Sequence, residues 1–264
     1  MNLSKTKINA LLALALFTFA FLAAEFRFDI NIGLLAGAER VVLARGFILG
    51  ASVLGFIGYA PLLGLAQRKG HSLAAVNAAA VPIVIPGLTQ IQFPTGPLTL
   101  EILGRIAFFG LGLLGAATHH AFSLAFQDCP KLATGAGAAY AAGIVFDLAE
   151  RRYMGLVMLG IAVLSTSSIL AVEAGADPNL GLVVFYLSSG FFVTFFTATF
   201  TQLAPRMHAP ALWAGMGRAA NNVCAFTTSG VSLALVTSGN VALIMIGALV
   251  LLVAACAAFV AAGL

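Results

Sequence analysis

The sequence predicts an all-α fold, a polytopic transmembrane helix bundle, on three observations. First, 61% of the 264 residues are hydrophobic, only 8% are charged, and the mean hydropathy is +1.05. A soluble domain carries roughly 25% charged residues. Second, apolar stretches recur at the length of about 20 residues that an α-helix needs to cross some 30 Å of hydrocarbon, a task open-edged strands cannot perform. Third, Pro61, Pro82 and Pro86 lie inside such stretches, where neighbouring helices or waters can satisfy the freed carbonyls. The net charge of +4 is spread thinly. With no basic run, nucleic acid is not an expected partner, and the lipid bilayer is the expected surroundings. Cys129, Cys224 and Cys256 are isolated from one another and from any His at ligand spacing, so neither a disulfide framework nor a zinc site is indicated. No cofactor is expected.

In order along the chain, about nine spans are expected: 8–24, 42–67, 72–92, 98–126, 132–149, 154–172, 180–203, 211–236 and 241–262. The basic start followed by 8–24 imitates a signal peptide but lacks a small-x-small cleavage site, so it reads as the first span. Residues 25–40 form the one long connection, expected as an external loop with a short interfacial helix. With the N-terminus cytoplasmic, Lys5, Lys7, Arg68, Lys69 and Lys131 fall inside, while Arg27, Arg40, Arg151, Arg152 and Arg206 fall outside. That is no bias, against the positive-inside rule. If the Ala/Gly-rich stretch 132–149 does not cross, Arg151, Arg152 and Arg206 move inside, and eight spans is the alternative. A Gln-x-x-Pro-basic pattern occurs at 127–131 and again at 202–206, about 75 residues apart. Three helices fit that distance, and three-helix repeats are one way of building transporters.

Ionisable residues inside lipid are functional candidates. The hairpin 103–149 carries Arg105 and the spaced glycines Gly110, Gly112 and Gly115, and reads as the wall of a transport path. Glu101 and Arg105 stand at i and i+4 on one helical face, as a local ion pair or a coupling element. Arg45 is a further charge within a span. Asp147 lies near the membrane surface, where snorkelling accounts for it. His119 and His120 point about 100° apart on a helix and cannot both line one cavity. Packing accounts for a single His there, with proton relay as the sharper reading. Arg218, Asn221 and Asn222 occupy i, i+3 and i+4, a polar face suited to a carboxylate or to interhelical hydrogen bonding. Gln90 and Gln92 are candidates for a cavity mouth.

The stretch 58–70 resembles the loop between the second and third helices of the major facilitator superfamily, roughly G-x-L-A-D-R-x-G. Leu65, Ala66, Arg68 and Gly70 match, Gln67 stands where that family has an acid, and Leu63 stands where it has the first Gly. The resemblance implies that Gly64, Arg68 and Gly70 form a conformational loop. Arg105 with its glycine run is similar to the family's fourth helix, associated with proton or substrate coupling. Residues 135–143 are similar to its fifth helix without the antiporter proline. Residues 205–236, with Arg218, Asn221 and Asn222, are similar to its tenth and eleventh positions. What the resemblance implies is an amino-terminal six-helix half, 1–175, and a three-helix remainder of the second half, 176–264. A shortened relative, a fragment and a homo-oligomer completing the missing half are all open.

The function expected from these readings is secondary transport of a small organic solute, in the anionic case held by Arg218, by alternating access. Arg105 and Arg218 would face one cavity, and proton coupling is an added option. The expected location is a bacterial inner (plasma) membrane. No phosphate-binding glycine loop is present, so direct ATP use is not expected. Two other classes stay open: a non-transporting assembly or sensor protein built on a transporter fold, and a membrane-embedded enzyme using His119 or His120.

Overall fold

The computed structural model describes residues 4–127 and 154–261, and every described element is helical. The helices are α1 (Lys5–Ala36), α2 (Ala38–Arg68), α3 (Leu73–Gln92), α4 (Pro97–Ala125), α5 (Met154–Glu173), α6 (Pro178–Leu203), α7 (Pro210–Thr237) and α8 (Val241–Ala261), with a 3-10 turn at Ala204–Arg206 before α7. Five of them, α1 to α5, are long and apolar enough to cross a membrane, as expected for an integral membrane protein. Each expected span falls on a described helix except 132–149, which lies outside the described residues, as do Lys131, Asp147, Arg151 and Arg152.

The connection expected at 25–40 is not a loop. α1 runs on to Ala36, a single residue, Gly37, turns the chain, and α2 starts at Ala38. Gly37 has φ 89°, a left-handed value at which a side chain is strained. Helix survives through this polar stretch because its charges have partners on the next helix. Glu25 and Asp29, one turn apart on α1, both face Arg45 of α2.

Two compact units form, residues 1–133 with 197–233, and residues 134–196 with 234–264. Each is discontinuous in sequence. In the second unit α5 packs against α8, and Met158 of α5 is buried against Phe191, Phe192 and Phe195 of α6.

The first unit is built around α4. It packs on α1, α2, α3 and the Ala204–Arg206 turn, and is buried on nearly every side, as a helix apolar all round should be. Its glycines face different neighbours: Gly110 meets Val84 of α3, Gly112 meets Ser52 and Gly55 of α2, and Gly115 meets Phe17 and Phe56. At the α2–α4 crossing the backbones touch. A Cβ on Gly112 would overlap the Ser52 carbonyl oxygen, and one on Gly55 would overlap that of Phe109. Phe21, Phe28, Ile48, Leu100 and Phe108 are fully buried in a core shared by α1, α2 and α4, with Phe21 and Phe108 edge to face at 5.1 Å.

Both ends of this unit carry charge, but of different kinds. The start of α1, the end of α2 and the end of α4 share one end, where Lys7 Nζ lies 5.7 Å above the Phe126 ring. The turn bearing Arg206 joins them, lining a small cavity with Ser123 and Phe126. Lys5, Lys7, Arg68, Lys69 and Arg206 collect there. Among the described residues of this unit, the acids Glu25, Asp29, Glu39 and Glu101 all sit toward the opposite end.

Candidate functional site

At the mixed-charge end, short-range pairing consumes most of the charge. Glu101, in the second turn of α4, is buried, and its carboxylate accepts from both Arg40 Nε at 2.7 Å and Arg40 Nη2 at 2.9 Å. The same carboxylate accepts from Arg105 Nη2 at 2.9 Å, one turn along α4, as the i, i+4 spacing predicts. The Arg105 guanidinium also lies over the Phe47 ring, 4.7 Å from its centroid, a cation–π contact. Beside this group Arg45 Nη2 donates to Glu25 Oε1 at 2.6 Å and Arg45 Nη1 stands 3.5 Å from Asp29 Oδ2. Asn31 Nδ2 donates at 2.6 Å to the Ile91 carbonyl, one of the orphan acceptors in the last turn of α3. Arg105 is thus held by an acid and an aromatic ring in a layer that ties α1, α2, α3 and α4 together.

Nearer the middle of the helices a second polar group forms around α7. Gly215 lets α7 approach closely: a Cβ there would lie 2.9 Å from Phe56 Cδ1 and 3.3 Å from the Ala116 Cα. The face buried behind it contains Arg218, Ala219 and Asn222. Asn222 Nδ2 donates to Ser52 Oγ at 2.7 Å, and Ser52 in turn donates to the Leu49 carbonyl at 2.7 Å. Arg218 is 7% exposed and stacks 4.8 Å above the Phe21 ring of α1. Asn221, expected on the same face, is half-buried at its edge and donates to Asn222 Oδ1 at 3.4 Å. A guanidinium beside an amide pair can take a carboxylate in bidentate fashion.

Arg105 and Arg218, expected to face one cavity, lie at different depths. Arg105 lies about 10 Å along α4 from Gly112, toward the mixed-charge end. Arg218 lies one turn of α7 the other way from Asn222, which meets Ser52 at the same crossing. The register of three crossing helices sets this separation, and helical spacing within one segment carries no information about it.

The remaining expected residues are placed as follows. His119 is buried between Phe17 and Phe56, with ring centroids at 6.0 and 6.1 Å, and its Nδ1 lies 2.7 Å from the Gly115 carbonyl. A carbonyl only accepts, so Nδ1 carries the proton. His120 turns instead toward Tyr59, with 3.4 Å between the Tyr59 hydroxyl and His120 Nδ1. Gln90 closes the α3–α4 turn, its Oε1 accepting from Thr95 N and Thr95 Oγ1, each at 3.1 Å. In the 58–70 stretch Gly70 has φ 76° and ends α2 in a closed turn, with the His71 N–H donating at 2.9 Å to the Ala66 carbonyl. Gly64 faces open space, and Arg68 is exposed with no ion pair among the described residues.

Two partners escaped sequence reading, Arg40 for Glu101 and Ser52 for Asn222. No signal in the chain announces either, since they lie 61 and 170 residues from the groups they bind. Comparison with protein-family models, with curated proteins and with solved structures finds no match.

Proposed function

We propose that the chain is a secondary membrane transporter moving a small organic anion by alternating access, with Arg218 as the anion contact and Asn221 and Asn222 beside it. One observation carries this reading: the Arg218 guanidinium is buried within an apolar helical unit, next to the Ser52–Asn222 pair. Buried charge inside a membrane segment is expensive and marks substrate or ion pathways. Glu101 neutralises Arg105, so Arg105 belongs to the scaffold in this reading. The test is uptake of labelled carboxylates into proteoliposomes. Arg218→Ala is expected to abolish uptake at unchanged membrane expression and unchanged elution from a sizing column, while Arg218→Lys retains part of it. Loss of expression together with uptake would assign Arg218 to structure.

A second reading, a non-transporting assembly or sensor protein, is favoured by the backbone contact of Gly55 with Gly112, which makes the α2–α4 pair a rigid core. Wild-type protein that expresses and reconstitutes but moves no solute of either charge would support it.

The topology that goes with this proposal has eight crossings. Phe126 and Arg206 lie at one end of the same unit, which supports an even number of crossings between them. The positive-inside rule then makes the end bearing Lys5, Lys7, Arg68, Lys69 and Arg206 cytoplasmic. With eight crossings the transport reading does not draw on a six-helix amino-terminal half and stands on the Arg218 group. Single cysteines at Lys69 and His208 are expected to react with an impermeant thiol reagent from the same face of the membrane. Labelling from opposite faces would restore nine crossings.

A further inference from the structure

Below the α2–α3 turn is a cavity of about 470 Å³ whose walls are α2 and α3 and whose floor is Leu113 of α4. Its wall is apolar along most of its depth, through Leu62, Val76, Ala80 and Ile83, and polar near its upper end, where His71 and Asn77 line it. From the first turn of α3 down to Ile83 is about 15 Å, the thickness of one leaflet of a roughly 30 Å hydrocarbon core. His71 lines the mouth, and Arg68 and Lys69 precede it in the α2–α3 turn, all three exposed. They are held there by the closed turn in which the Gly70 N–H donates to Gln67 and the His71 N–H to Ala66, both at 2.9 Å. The nearest described acids of this unit lie at its far end.

We propose that this groove is a binding site for one anionic phospholipid of the basic-side leaflet. One acyl chain lies along Leu62, Val76, Ala80 and Ile83, the glycerol esters lie at the level of Asn77, and the phosphate lies between Arg68, Lys69 and His71. Polarity runs along the groove in the order of the lipid itself: cationic at the membrane surface, an amide donor one to two turns below, and hydrocarbon to the bilayer centre. A zwitterionic lipid would fill the same apolar slot, but its own cation would stand against Arg68 and Lys69. The charge at the mouth therefore sets the preference, and the groove sets the affinity common to both lipids. The site is independent of Arg218 and of the transport reading.

The test uses the full chain, purified in neutral detergent and stripped of lipid. It is titrated with phosphatidylglycerol or with phosphatidylcholine of identical acyl chains, and bound lipid is counted by native mass spectrometry. One phosphatidylglycerol is expected to bind in preference to phosphatidylcholine. Arg68→Gln and Lys69→Gln are each expected to weaken that preference by roughly 5-fold, the worth of one basic residue near an anionic headgroup. Ala79→Trp, at an exposed position lining the groove, should weaken both lipids alike. Glycerol 3-phosphate, which has the headgroup charge without the chain, should not compete. Equal binding of the two lipids, or a preference untouched by the Gln variants, overturns the site. Displacement by glycerol 3-phosphate would reassign the basic mouth to a free phosphate. A dimer that either lipid dissolves would reassign the groove to a second copy of the chain.

Discussion

Gly112→Leu is expected to break the first unit apart at its centre. The added side chain would have to occupy the space of the Ser52 carbonyl and the Gly55 Cα, both backbone atoms, so no side-chain rotation can relieve the clash. The α2–α4 crossing must open, and three consequences follow. The packing of Phe56 and Ala116 loosens, Ser52 moves away from Asn222, and α7 loses its anchor. Overpacking a tight interior costs about 1–3 kcal/mol, and a clash against rigid backbone belongs at or above the upper end. The measurement is the unfolding midpoint in detergent, read with the monodisperse fraction on a sizing column. Gly64→Leu is the control. A Cβ at Gly64 meets nothing within 4 Å, so that variant should stay within about 0.5 kcal/mol of wild type. Equal behaviour of the two variants would mean that the helices do not cross at Gly112.

Asn222→Ala is expected to cost about 0.5–1.7 kcal/mol, the range seen for interhelical hydrogen bonds in membranes. The bond to Ser52 is buried at both ends and joins segments 170 residues apart. Ser52 keeps its own donation to the Leu49 carbonyl when Asn222 is removed, so its proton is not orphaned and the loss stays moderate. A double-mutant cycle with Ser52→Ala should show a coupling of about 1 kcal/mol, because residues sharing one hydrogen bond do not add. Asn221→Ala, at the half-buried edge, should change stability little, and its effect should be independent of Ser52→Ala. Coupling at Asn221 instead would mean that α7 is rotated by one residue from the face described. If Asn222→Ala also slows uptake while Asn222→Gln restores it, the amide serves the anion site as well as the fold.

The membrane class of the protein was readable from the chain alone. Lipid forbids unpaired backbone and unpaired charge, so every crossing element must appear as a long, continuous, nearly uncharged stretch. Eight of the expected stretches coincide with described helices, and five of these are long and apolar enough to cross. The Glu101–Arg105 pair was equally readable, because i and i+4 lie on one face of any α-helix. The polar face of α7 was readable too, short of Asn221 falling at its edge. The stretch 25–40 was not readable. Its charges look like loop in isolation and are helical only because Arg45 and Arg40 stand across from Glu25, Asp29 and Glu101. Nor did any local pattern place Arg105 and Arg218 at different depths, bring Ser52 to Asn222, or set Arg206 beside Phe126. Helical periodicity fixes which residues share a face within one segment. Which faces meet, and at what height, depends on where glycines let backbones touch and on the crossings that follow, and those are properties of the packed helices together.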